Sequence, residues 1–148
     1  MNAEMVERPM EVLLVEDNPG DVRLVEEAIL EGGLRMDICV VGDGVEAMAF
    51  LRKQGSYADV PSPDLVLLDL NLPGKDGREV LAEVKEDPIL RSIPVVVLTS
   101  SNHERDVQRA NELHANGYII KPGSLDQLIA VMRSLENFWS RTVKVSQE

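Results

Sequence analysis

Short apolar runs alternate along the chain with stretches whose apolar residues recur at spacings of three and four. The runs are 12–15 (VLLV), 37–41 (DICVV), 65–69 (LVLLD), 94–101 (PVVVLTSS) and 117–120 (GYII). Each is short and bounded by turn residues, and the fourth is dense in β-branched side chains, which predicts five buried strands. Helical patterns fill the intervals. Asn18 before Pro19 reads as an N-cap and first helical residue, with Val22, Val25, Ala28 and Ile29 on one face and Gly32-Gly33 as the stop. Gly42-Asp43-Gly44 opens a second helix reaching about residue 54, after which 55–63 (GSYADVPSP) is loop by composition. A third helix covers 78–86. A fourth covers 103–114, with Ser101 and Glu104 at capping-box spacing. The last starts behind Ser124 and Gln127, carries Leu125, Leu128, Ile129, Met132 and Leu135 inward, and is expected to end near Phe138-Trp139.

Strands that read as continuous apolar runs are buried on both faces, and a helix after each one makes the sheet parallel. The pattern predicts an α/β fold: a doubly wound, five-stranded parallel sheet, flavodoxin-like, in strand order 2-1-3-4-5. A (β/α)₈ barrel needs a considerably longer chain than 148 residues. With no repeat and no shift of composition, the expectation is one domain over 1–148, with its core at about 10–137 and an extension over 138–148. Such sheets bind ligands beyond the carboxyl ends of their strands, beside the switch between strands 1 and 3.

That edge is where the chemistry gathers. Strand 1 runs into Glu16 and Asp17, strand 3 into Asp69 with Asn71 two residues on, strand 4 into Thr99 and Ser100, and strand 5 into Lys121. Strands 1 and 3 are neighbours in the expected order, so Glu16, Asp17 and Asp69 should converge. Three crowded carboxylates stay ionised only around a cation. Oxygen donors without His or Cys select a hard ion such as Mg²⁺. Lys121 adds a compact positive charge suited to a phosphoryl oxygen, and Thr99 a hydroxyl donor. With one carboxylate as nucleophile, these are the parts that phosphoryl transfer requires. An acid after a single strand is often only a turn or cap residue. Four strand ends agreeing on one chemistry weigh against that reading.

Composition narrows the partners. A formal charge of -11 opposes binding to nucleic acid or to an anionic membrane, while an apolar share of 44% suits a folded domain. Cys39 is the lone cysteine, which excludes an internal disulfide and fits a reducing compartment. Its apolar surroundings suggest a buried small hydrophobe rather than a reactive thiol. The first twelve residues lack a signal-peptide core and no run approaches a membrane span, so the expected location is the cytoplasm.

From VLLVEDNPGD through LVLLDLNLPGKDG and PVVVLTSS to GYIIKP, the sequence resembles the receiver domain of two-component response regulators. The resemblance implies that Asp69 is the phosphoacceptor, that Glu16, Asp17 and Asp69 hold Mg²⁺ with the Asn71 carbonyl, and that Lys121 contacts the phosphoryl group. It makes Thr99 and Tyr118 the switch pair, and it implies a cis bond before Pro122. The donor would be a histidine kinase, and the protein would catalyse only its own phosphorylation and dephosphorylation. An aspartate-nucleophile phosphatase would need an acid two residues after the nucleophile, where Asn71 stands, and no P-loop motif exists. The remaining alternative is a degenerate receiver acting as a phosphorylation-independent scaffold.

EDNPGDVRLVEEA, NLPGKDGREVL, ANGYIIKP and ENFWSRTVKV are similar to the regulators that partner phytochromes. That likeness implies a phytochrome-type kinase. The 27 residues after Lys121 leave no room for a DNA-binding output domain. Output would then be partner binding or homodimerisation through the fourth helix, fifth strand and fifth helix. Phe138 and Trp139, two of the five aromatic residues, would either pack on the protein's own surface or join such a dimer. Val145-Ser146 stands where these relatives carry a Leu-Pro pair.

Overall fold

The computed structural model describes the backbone of residues 8–147 and the side chains of residues 8–139. Five strands, β1 (Met10–Val15), β2 (Met36–Val41), β3 (Leu65–Leu68), β4 (Val95–Thr99) and β5 (Gly117–Ile120), form one parallel sheet in the order β2-β1-β3-β4-β5. The helices are α1 (Pro19–Gly32), α2 (Gly44–Leu51), α3 (Gly77–Glu86), α4 (Glu104–Glu112) and α5 (Leu125–Gln147). The expected fold and strand order are therefore those found.

The pleat sorts alternate side chains to opposite faces. Leu13, Val15, Val66, Leu68, Val95 and Val97 meet α2, α3 and α4 through residues such as Phe50, Leu81 and Ala110. Val12, Leu14, Leu65, Leu67, Val96 and Leu98 meet α1 and α5 through Val25, Ala28, Leu128 and Met132. All four β3 side chains and all five of β4 are buried, as the continuous apolar runs require. Each Val and Leu among them contributes about 1.5–3 kcal/mol of burial free energy. Cys39 is half-buried beside the first cluster, and burial raises its thiol pKa, which favours the protonated form. No helix among the described residues is long and apolar enough to cross a membrane.

The caps of α1 are as read. The Asn18 side chain accepts from the Gly20 and Asp21 N–H groups, and Gly33 ends the helix at φ 60°. Three boundaries differ from expectation. α2 stops at Leu51 because Lys53 takes a left-handed conformation, φ 55°. α4 is capped by His103 without a side-chain bond, so Ser101 and Glu104 form no capping box. The Ser101 hydroxyl instead donates to Asp106 at 2.5 Å. α5 continues past Phe138 to Gln147, since FWSRTVKVSQ contains neither Gly nor Pro to break it. The side chains of Val145-Ser146, like the first seven residues, lie outside the described residues.

Candidate functional site

The carboxyl ends of β1, β3, β4 and β5 come together as the topology requires. Glu16, Asp69 and Thr99 are the buried polar residues of the described chain, and all three stand at this edge. One carboxylate oxygen from each of Glu16, Asp17 and Asp69 lies within 4.8 Å of the others. Glu16 and Asp69 are buried while Asp17 is exposed, so the group opens to solvent on one side. Two buried carboxylates beside a third, all hard oxygen donors, fit one small divalent cation that keeps part of its water.

Lys121 counters this charge. Its Nζ lies 2.8 Å from Glu16 Oε1, 2.8 Å from Asp21 Oδ2 and 3.2 Å from Asp69 Oδ2. Burial pulls the Lys121 pKa down. The hydrogen bonds to Asp21 and Glu16, with the charge of Asp69, outweigh it, and the net result lies above the ordinary lysine value. Glu16 is raised, first by burial, although Lys121 and the Asn18 N–H both favour its ionised form. The lysine is therefore a fixed cation, and the site holds a Glu16 carboxylate that gains from any further positive charge.

The β3–α3 loop is seated by two close approaches. Gly77 lies so near the Asp69 carbonyl and Leu70 that a Cβ would overlap them, and a Cβ on Gly44 would overlap the Lys75 carbonyl. Only glycine lets α2 and α3 press this loop against the strand ends. Lys75 in turn pairs with Glu83. Within the loop, the Asn71 N–H donates to Asp69 Oδ1 at 3.2 Å, which fixes the carboxylate's orientation.

Thr99 is fully buried at the end of β4, its Oγ1 accepting the Ser101 N–H at 3.4 Å. Tyr118 is half-buried, and its hydroxyl donates to the Ser101 carbonyl at 2.9 Å rather than to water. Ser101 also donates to Asp106, which receives the Arg78 guanidinium at 2.7 Å. These bonds tie α3, the β4–α4 loop and β5 into one chain. The bond between Lys121 and Pro122 is trans, not the expected cis. Trans is the lower-energy isomer for X–Pro, and from it the lysine already reaches all three carboxylates.

Sequence reasoning missed Asp21 and the Arg78–Asp106–Ser101 chain. Asp21 stands in the first turn of α1, and only the folded arrangement, in which α1 packs against α5, reveals that it faces Lys121.

A buried aspartate at the end of the central strand, flanked by two acids and a lysine on a 2-1-3-4-5 sheet, is the arrangement expected of a receiver domain. The sequence agrees: residues 12–133 match the response regulator receiver domain, and the chain belongs to that family. It is 50% identical over 135 residues to response regulator Rcp1 of Synechocystis sp., covering 91% of this chain and 92% of that one. Among solved structures it is similar to the phosphorylated cyanobacterial phytochrome response regulator RcpA, at 50% identity and TM-score 0.83, covering 90% of this chain and 96% of that one. It is also similar to the Mn²⁺-bound form of Rcp1, at 49% identity and TM-score 0.80 over the same shares. The protein is thus a response regulator of a two-component phosphorelay.

Proposed function

We propose that Asp69 accepts a phosphoryl group from a histidine kinase of the phytochrome type, with Mg²⁺ at Glu16, Asp17, Asp69 and the Asn71 carbonyl. The observation that carries this is a buried Asp69 with Lys121 Nζ at 3.2 Å and two further acids beside it. Likeness to Rcp1 and RcpA supports the kinase class, and the Mn²⁺ form of Rcp1 supports the metal. A phosphorylation-independent scaffold would have no use for this complete set of groups.

An Asp69 oxygen attacks phosphorus as the phosphohistidine P–N bond breaks, and the imidazole leaves with the electron pair and takes a proton from water. The Asn71 N–H holds the carboxylate in its attacking orientation. Lys121 turns one N–H from Asp69 to a phosphoryl oxygen. A Mg²⁺ held by Glu16, Asp17, Asp69 and the Asn71 carbonyl would supply positive charge against those oxygens. Thr99 supplies its hydroxyl to the same group, and Tyr118 leaves the Ser101 carbonyl as the β4–α4 loop moves. The face of α4, β5 and α5 then changes shape for a partner or a second copy. Trp139 packs on the protein's own surface with Arg8 over its ring at 5.1 Å, and Phe138, 70% exposed, would add apolar surface to such an interface. No separate substrate is turned over, and the protein works in the cytoplasm.

The test is uptake from acetyl phosphate with Mg²⁺, followed by intact mass. Wild type gains one phosphoryl group and Asp69→Asn gains none. Labelling that persists in Asp69→Asn moves the acceptor elsewhere.

A further inference from the structure

The Lys121 ammonium has three N–H donors, and all three face carboxylates. Two of these, Glu16 and Asp69, belong to the cluster within 4.8 Å that suits a cation, and Asp21 does not. Asp21 nevertheless holds Nζ at 2.8 Å, as closely as Glu16 does. Its side chain is 37% exposed against 3% for Glu16, so it stands at the solvent mouth of the site. The Asn18 side chain fixes it there by accepting the Asp21 N–H at 3.1 Å.

We propose that Asp21 is a positioning residue that restrains Lys121 and opposes dianionic phosphodonors, and so sets how fast Asp69 is phosphorylated. This rests on the reading of Asp69 as the phosphoacceptor. An incoming phosphoryl group needs an N–H from Lys121, and Asp21 both occupies one and offsets the ammonium charge. With acetyl phosphate, an Asp69 oxygen bonds to phosphorus, the P–O bond to the acetyl group breaks, and acetate leaves with the electron pair. This donor arrives as a dianion, and a fixed negative charge at the mouth works against its approach. Phosphoramidate carries one negative charge fewer and meets less opposition.

Asp21→Asn keeps an oxygen that accepts from Lys121 and removes only the charge. Phosphorylation rates are measured with Mg²⁺ and each donor for wild type, Asp21→Asn, Asp21→Glu and Asp69→Asn. Asp21→Asn is expected to react about three- to tenfold faster with acetyl phosphate. The gain should be smaller with phosphoramidate, should shrink as salt is raised, and should be reversed by Asp21→Glu. A merely structural role would not discriminate between donors. A rate at or below wild type, or an equal gain with both donors, overturns the proposal. If wild type takes no label, or Asp69→Asn takes it equally, the phosphoacceptor reading fails and this inference falls with it.

Discussion

The two ends of the sheet are built from the same strands and could hardly differ more. At the carboxyl end stand the buried polar residues Glu16, Asp69 and Thr99, held by ion pairs and hydrogen bonds. At the amino end, under the far half of α5, lies an apolar groove of about 420 Å³ walled by Met10, Leu65, Pro94, Val96, Ile119 and Leu135 and closed by Phe138 and Trp139. One end spends stability on charges kept ready for chemistry. The other is an apolar hollow, with a surface ion pair, Arg8–Asp64, at its rim. Substitutions should therefore separate cleanly: those at the carboxyl end alter phosphoryl chemistry, and those at the amino end alter stability or association.

The largest effect is expected from Asp69→Asn, which should lose phosphoryl uptake entirely while its circular dichroism stays native. A melted spectrum would mean that Asp69 is structural and would erase the contrast. Lys121→Ala should still accept the group, but the movement of Tyr118, followed by its ring resonances in NMR, should largely disappear. Lys121's pKa in the folded protein is raised above the ordinary 10.5. Its contribution to stability is thus fully present below that value and is lost only as pH rises through the folded pKa. The cost of Lys121→Ala, measured by denaturant unfolding, should accordingly be flat across neutral pH.

Trp139→Ala should cost about 1–2 kcal/mol in urea unfolding, less than for a fully buried aromatic because the ring is half-buried. Phosphoryl uptake at the wild-type rate should accompany that loss, and a slowed rate would show that the two ends are coupled. Asp106→Asn should have a smaller, pH-dependent effect. The Ser101 hydroxyl, then Arg78, hold the Asp106 pKa below the ordinary 3.8. The stabilisation is present above that value and fades as pH falls through the folded pKa. The difference between wild type and Asp106→Asn should close on acidification. Phe138→Ala, at a side chain 70% exposed, should weaken self-association in sedimentation. An unaltered sedimentation profile would remove Phe138 from any interface.

The sequence made the sheet legible because burial on both faces leaves an unbroken apolar signature, as in LVLL and VVVLT. It made Glu16, Asp17, Asp69 and Lys121 legible because each directly follows a strand whose place in the order is fixed by topology. Asp21 was hidden because its role depends on a pairing with Lys121, a hundred residues on, which no local pattern encodes. Ser101 was misread for a related reason: its hydroxyl donates to Asp106, with Arg78 behind it, and accepts the His103 N–H, so the Ser101–Glu104 pairing of a capping box does not form. The end of α5 was placed too early since aromatic residues suggest an edge but do not stop a helix.

The central claim is that this sheet delivers a single nucleophile, Asp69, to a cation and a lysine. Its most direct test is borohydride reduction of the protein phosphorylated by acetyl phosphate, followed by peptide sequencing in a mass spectrometer. An aspartyl phosphate is reduced to homoserine, so the account predicts homoserine at position 69 and nowhere else. Homoserine at Asp17 or Asp21, or an unreduced and acid-stable phosphate on a hydroxyl, would contradict it.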